Sequence, residues 1–124
     1  MITGIGNDIT ECARIRAAAE KHGQAFLDHL LTPREQAESR NAVSYYAGRW
    51  AAKEALSKAL GCGIGAHCAF TDIEILNDPA GRPEAKFSGA AKKTADSLGV
   101  TRIHLTISHE REYAIATAVL EADR

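Results

Sequence analysis

The chain has 124 residues, 45% of them hydrophobic and 25% charged, enough for one domain around one core but not for two. A formal net charge of −1 excludes a global basic field for nucleic acid, and no acidic tail argues for disorder. No apolar run approaches the roughly 18 residues that span a bilayer, and no signal peptide opens the chain. Cys12, Cys62 and Cys68 lack CxxC spacing and fit free thiols in a reducing cytoplasm. The expectation is a single domain over residues 1–124, cytoplasmic, with neither nucleic acid nor membrane as partner.

Residues 2–11 read as a first strand, but the stretch GIGNDI is odd there, because glycine weakens a strand interior and aspartate is depleted in it. Alternation sets Gly4, Gly6 and Asp8 on one side and Ile5 and Ile9 on the other. Asp8 then stands beside two positions without side chains, where a ligand or another backbone can come close. A dinucleotide fingerprint is excluded, since Ile9 stands where a third glycine is needed and strand-like residues continue where a helix should open. Residues 14–31 read as helical, broken near Gly23. Thr32-Pro33-Arg34-Glu35 carries the cap, the proline and the glutamate of a capping box.

Asn41 is the expected cap of the strongest helix, AVSYYAGRWAAKEALSKAL, which stops at Gly61. GCGIGA follows as a glycine-rich loop whose amides suit phosphate or merely end the helix. Residues 70–76 alternate as a strand, 77–83 are dense turn chemistry, and 84–87 return as a short strand. Ser88 is the expected cap of a helix ending before Gly99. Residues 102–108 and 113–121 then form a hairpin across His109-Glu110-Arg111-Glu112. The order predicts an α+β fold, with a mostly antiparallel sheet packed with helices.

The long helix holds the sharpest chemical anomaly. Val43, Tyr46, Ala47, Trp50 and Ala51 share one face at 100° per residue, and Glu54 projects into that stripe. Glutamate rarely goes inside unless paired or bound to a metal. An exposed Glu54–Lys58 pair is the plain alternative. Arg49 and Lys53, also one turn apart, repel unless an anion sits between them, and otherwise make a solvated face. Asp8 and Glu54 together offer two hard oxygen ligands among cations, a donor set for Mg²⁺ that also holds phosphate oxygens. Ser108 beside His109 is not a serine hydrolase, because neighbours on a strand point oppositely and no nucleophile elbow surrounds the serine. His109 suits a polar contact to phosphate or the plain surface.

With GIGNDITE, AGRWAAKEALSKALGCGIG and LTISHEREYAIA in this order, the chain resembles the holo-[acyl-carrier-protein] synthases, the small bacterial type of 4′-phosphopantetheinyl transferase. The resemblance covers nearly the whole chain. It implies transfer of 4′-phosphopantetheine from coenzyme A to a serine of apo acyl carrier protein, releasing adenosine 3′,5′-bisphosphate, with Mg²⁺. By position it makes Asp8 and Glu54 metal ligands and, with Lys58, the catalytic group. It sets Arg49, Lys53, Lys58, Gly61 and His109 at coenzyme A. The turn Gly81-Arg82-Pro83 falls near the adenine, and Arg14 and Phe26 on the surface that meets the carrier protein. A homotrimer with each active site at a subunit interface is implied as well.

The chemistry suits these residue types. Attack on a pyrophosphate spreads charge over nonbridging oxygens, which fixed cations stabilise, and the attacking serine belongs to the partner. Glu54 and a metal-bound water are both open as the base. Where the family is often arginine-rich near Phe26, AFLDHLL offers only His29 beside Asp28, although Arg14, Arg16 and Lys21 remain. Asn7 replaces a residue commonly apolar or small, and either the metal or the sheet surface is open to it. A coenzyme A-binding module without turnover and a metal-dependent pyrophosphate hydrolase are the alternatives.

Overall fold

In a computed structural model describing residues 1–123, the elements run β1 (Ile2–Glu11), α1 (Cys12–His22), α2 (Gln24–Leu30), α3 (Pro33–Ser39), α4 (Val43–Ala59), β2 (Ile73–Asn77), β3 (Pro83–Phe87), α5 (Gly89–Ser97), β4 (Val100–His109) and β5 (Tyr113–Ala122). The α+β class is as expected, and every strand pairing is antiparallel. The strands form two sheets: β1-β5-β4, and a separate β2-β3 hairpin. Among the described residues no helix is long and apolar enough to cross a membrane.

Small side chains let α4 lie close on the larger sheet. Alternation along β5 turns Ala114, Ala116, Ala118 and Leu120 inward, where none exceeds 1% exposure, and α4 answers with Ala47, Ala51, Ala55 and Ala59, all buried. A Cβ on Gly4 would overlap the Ala59 carbonyl oxygen, and one on Gly6 that of Ala55, with the Ala59 nitrogen only 2.8 Å away. The glycines of GIGNDI therefore admit the backbone of α4. Of the two neighbours the sequence leaves open there, a ligand or another backbone, it is the backbone that comes close.

The sheet's other face carries the bulk. Ile5 and Ile9 of β1 are 69% and 64% exposed, and Tyr113 and Ile115 of β5 are 42% and 43%. Register sets Ile5 beside Val119 and His104, Asn7 beside Thr117 and Thr106, and Ile9 beside Ile115 and Ser108. Asn7 thus belongs to this outer surface, on the opposite face of β1 from Asp8.

Local expectations hold in part. Thr32 and Glu35 form the reciprocal capping box, and Gly61, at φ 83°, follows the end of α4 with its N–H on the Lys58 carbonyl. Asn41 is not the cap of α4. It adopts φ 56°, Ala42 takes the cap position, and the Asn41 side chain accepts instead from the Tyr46 hydroxyl at 3.4 Å. Residues 70–72 are a 3-10 turn, so the strand starts at Ile73. Ser88 precedes α5 but donates to the Asp72 carbonyl, leaving Asp72 Oδ2 to accept from Ala91 N at 3.2 Å.

Candidate functional site

α4 is buried almost all round, contrary to the expected single stripe. From Tyr46 to Ala59 only Trp50, Glu54 and Lys58 escape burial, spaced one turn apart. Glu54 therefore stands on the open line of the helix. An alanine-rich helix can bury several faces, so the contrast that periodicity relies on is lost.

The β1–α4 crossing brings Asp8 to this open line. Lys58 Nζ donates to Asp8 Oδ1 at 3.1 Å and to the Asn7 carbonyl at 3.2 Å, bridging helix and strand. Thr10 Oγ1 donates to Asp8 Oδ2 at 2.7 Å, which fixes the carboxylate from its own strand. Burial raises the Glu54 carboxyl above its usual range, the Asp8 charge adds to this, and Lys58 and Arg14 oppose it. A carboxyl whose ionisation a neighbouring carboxylate opposes is part of a donor set that a hard dication relieves. Among the described residues no third His, Cys, Asp or Glu completes a metal cluster, so an ion held by this pair would need further ligands from outside the chain.

Arg49 and Lys53 lie on the buried side of α4, and the anions between them are the protein's own. Lys53 Nζ, fully buried, donates to Glu35 Oε1 and to the Leu30 carbonyl, both at 2.7 Å. Its partner Glu35 also accepts from Thr32 N and Ile75 N, each at 2.8 Å. Lys53, which the resemblance sets at coenzyme A, has no exposed surface here: its ammonium is a core cation held between α2 and α3. Burial lowers its pKa, and Glu35 opposes the shift. Arg49 Nη2 reaches Glu38 Oε2 at 3.0 Å and Asn77 Oδ1 at 3.2 Å, while Nε donates to the Ile75 carbonyl at 3.1 Å.

The remaining candidates fall into separate places. Arg49 and His109 border one cavity of about 270 Å³ with Tyr45 and Asn77. Arg82 and Pro83 border another of about 570 Å³ with Thr101 and His104. Their turn, with Gly81 at φ 89°, is knit by Asp78, whose Oδ1 accepts from Ala80 N and Arg82 N. Neither cavity is lined by Asp8 or Glu54. Arg14 is exposed and lies near enough to Glu54 to act on its charge. Phe26 is only 7% exposed and stacks on Trp50 at 6.2 Å, so its ring fills the core more than it meets a partner.

Sequence reasoning missed Thr10, Glu35, Glu38 and Asn77. The signal for two of them is visible in retrospect: Glu35 and Glu38 sit one turn apart on α3, as Arg49 and Lys53 do on α4.

The sequence model of the 4′-phosphopantetheinyl transferase superfamily matches residues 4–118. The holo-[acyl-carrier-protein] synthase of Ruminiclostridium cellulolyticum is 48% identical over 120 residues, covering 94% of this chain and 90% of that one. The crystal structure of the holo-[acyl-carrier-protein] synthase from Neisseria meningitidis matches with a TM-score of 0.89 and 41% identity, over 98% of this chain and 99% of that one. The Helicobacter pylori enzyme, solved in complex with coenzyme A, gives 0.87 and 36%, over 94% and 99%. With a fold, a length and a motif order in common, the chain belongs to the 4′-phosphopantetheinyl transferase superfamily.

Proposed function

We propose that this chain, one transferase domain over residues 1–124, is a holo-[acyl-carrier-protein] synthase. It transfers 4′-phosphopantetheine from coenzyme A to a serine hydroxyl of apo acyl carrier protein and releases adenosine 3′,5′-bisphosphate. The observation that carries the reading is the meeting of Asp8, Glu54 and Lys58 where β1 crosses α4.

In this reading Asp8 and Glu54 hold Mg²⁺, with Thr10 steadying Asp8. When bound, the ion neutralises charge on the pyrophosphate oxygens. Lys58, half-exposed and bonded to Asp8, would donate to a phosphate oxygen of the substrate. Arg49 and His109 take a further phosphate. Arg82 and Pro83 border the adenosine end, and the Gly61 turn fixes the end of the Lys58 helix. Arg14, exposed beside Glu54, faces the acidic carrier protein. The carrier serine attacks the β-phosphorus and gives up its proton to Glu54 or water, the bond to the bridging oxygen breaks, and the leaving bisphosphate carries the electron pair.

The bulky outer face of the β1-β5-β4 sheet supports a homotrimer. Four large side chains there are more than 40% exposed while alanines fill the core side, the reverse of a sheet that faces water. The Asp8–Glu54 pair and the Arg49–His109 cavity are then halves of one site, contributed by two chains.

Incubation with coenzyme A, Mg²⁺ and apo carrier protein, followed by mass spectrometry of the carrier, is the direct test. A phosphopantetheine mass gain is expected. No gain with any of several carriers would sink the reading, and nucleotide release without a carrier would favour a hydrolase.

A further inference from the structure

Arg49 is a buried cation whose guanidinium is only partly used by the fold. Nε is held by the Ile75 carbonyl, and Nη2 by Glu38 and Asn77. The Tyr45 ring lies 4.2 Å from Cζ, closing one face of the plane. Among the described residues Nη1 donates to nothing. Among them no unpartnered side-chain nitrogen or oxygen is fully buried, so Nη1 reaches solvent. The side chain is only 6% exposed, and Arg49 borders the cavity that His109 also lines.

Glu38 is itself anchored. Oε1 accepts from Asn77 N at 2.9 Å, and Oε2 accepts from Arg49 Nη2 at 3.0 Å and from the Tyr45 hydroxyl at 2.7 Å. A carboxylate beside an arginine weakens the pull of that arginine on an anion. Its offsetting benefit is orientation, because arginine recognises phosphate directionally, through N–H groups in a fixed plane.

We propose that Glu38 and Asn77 are positioning residues, which with the Ile75 carbonyl clamp Arg49 so that Nη1 is the nitrogen presented to a phosphate of coenzyme A. This rests on the coenzyme A reading of Arg49 given above. The fold meets Nε and Nη2 and leaves Nη1 as the nitrogen open to a ligand.

Steady-state kinetics of the full chain, made as single variants and on an Arg49→Ala background, test the assignment. Glu38→Ala is expected to raise KM for coenzyme A about tenfold and Asn77→Ala about threefold, with KM for the carrier protein unchanged. On the Arg49→Ala background neither change adds to KM, because both act through that one side chain. Equal factors on both backgrounds, or an unchanged coenzyme A KM in the single variants, would overturn the proposal. If Glu38→Ala does not fold, Asn77→Ala, at an exposed position, decides alone. Should Arg49→Ala leave KM for coenzyme A unchanged, the coenzyme A reading of Arg49 falls and takes the positioning role with it. If Arg49→Ala raises KM and the other two do not, only the positioning role falls.

Discussion

A methyl group added at Gly6 would press on the carbonyl of Ala55 and lie 3.1 Å from Lys58 Cβ, and neither neighbour can yield without moving α4. Gly6→Ala is therefore expected to destabilise the fold by about 3 kcal/mol, the upper end of ordinary overpacking, read as a lowered urea midpoint. Glu54 runs the other way. Its folded-state pKa lies above the unfolded value, so the native state binds the proton more tightly, and stability falls as pH rises through that window. Glu54→Gln should raise the melting temperature at pH 7, raise it progressively less as pH falls and the glutamate becomes protonated in both states, and abolish transfer. A lowered melting temperature at pH 7 would show that Glu54 gains more from Lys58 and Arg14 than it loses to burial and Asp8. Asp8 and Glu54 were legible in the sequence because each is chemically out of place in its element. The partner of the glycines was not, since a missing side chain records that something comes close without recording what.

Between elements, α3 acts as a strut. Its two carboxylates bond the N–H groups of Ile75 and Asn77 along one edge of β2 and the cations Lys53 and Arg49 along one side of α4. Spacing explains the match: one helical turn on α3 and on α4, and two residues on β2, span comparable lengths. Lys53→Met would leave Glu35 charged and without its cation in the core, at a cost of about 3–5 kcal/mol, while KM for coenzyme A stays unchanged. Chemical denaturation and substrate titration of one preparation measure both. A large rise in KM at wild-type stability would return Lys53 to the substrate. This strut was hidden in the sequence for two reasons. Alanine on most faces of α4 erases the contrast between inside and outside, and the paired charges lie far apart along the chain. The capping box and the end of α4 at Gly61, by contrast, are set by neighbouring residues and were readable in place.

At the scale of the whole molecule, the strand pattern reads correctly as alternation but not as direction. In YAIATAVLEA the larger residues Tyr113, Ile115 and Val119 look like the core side, yet Ala114, Ala116 and Ala118 face α4. Large residues left outside, and catalytic candidates divided between the Asp8–Glu54 pair and the Arg49–His109 cavity, both follow if the working unit is an assembly. Subunit complementation separates this from a site built within one chain. Glu54→Gln removes the carboxylate half and Arg49→Gln the cation half, so each homogeneous enzyme should be nearly inactive. In a trimer with shared sites, a site works when the Arg49→Gln chain supplies Glu54 and the Glu54→Gln chain supplies Arg49. Random mixing at equal amounts by co-expression makes that combination at about a quarter of interfaces, so activity should return to about a quarter of the wild-type value. With both halves drawn from the same chain, every mixture stays as inactive as its components. An Ile115→Lys change added to both chains should remove the recovered activity, because a lysine on the outer sheet face opposes the packing that brings the halves together.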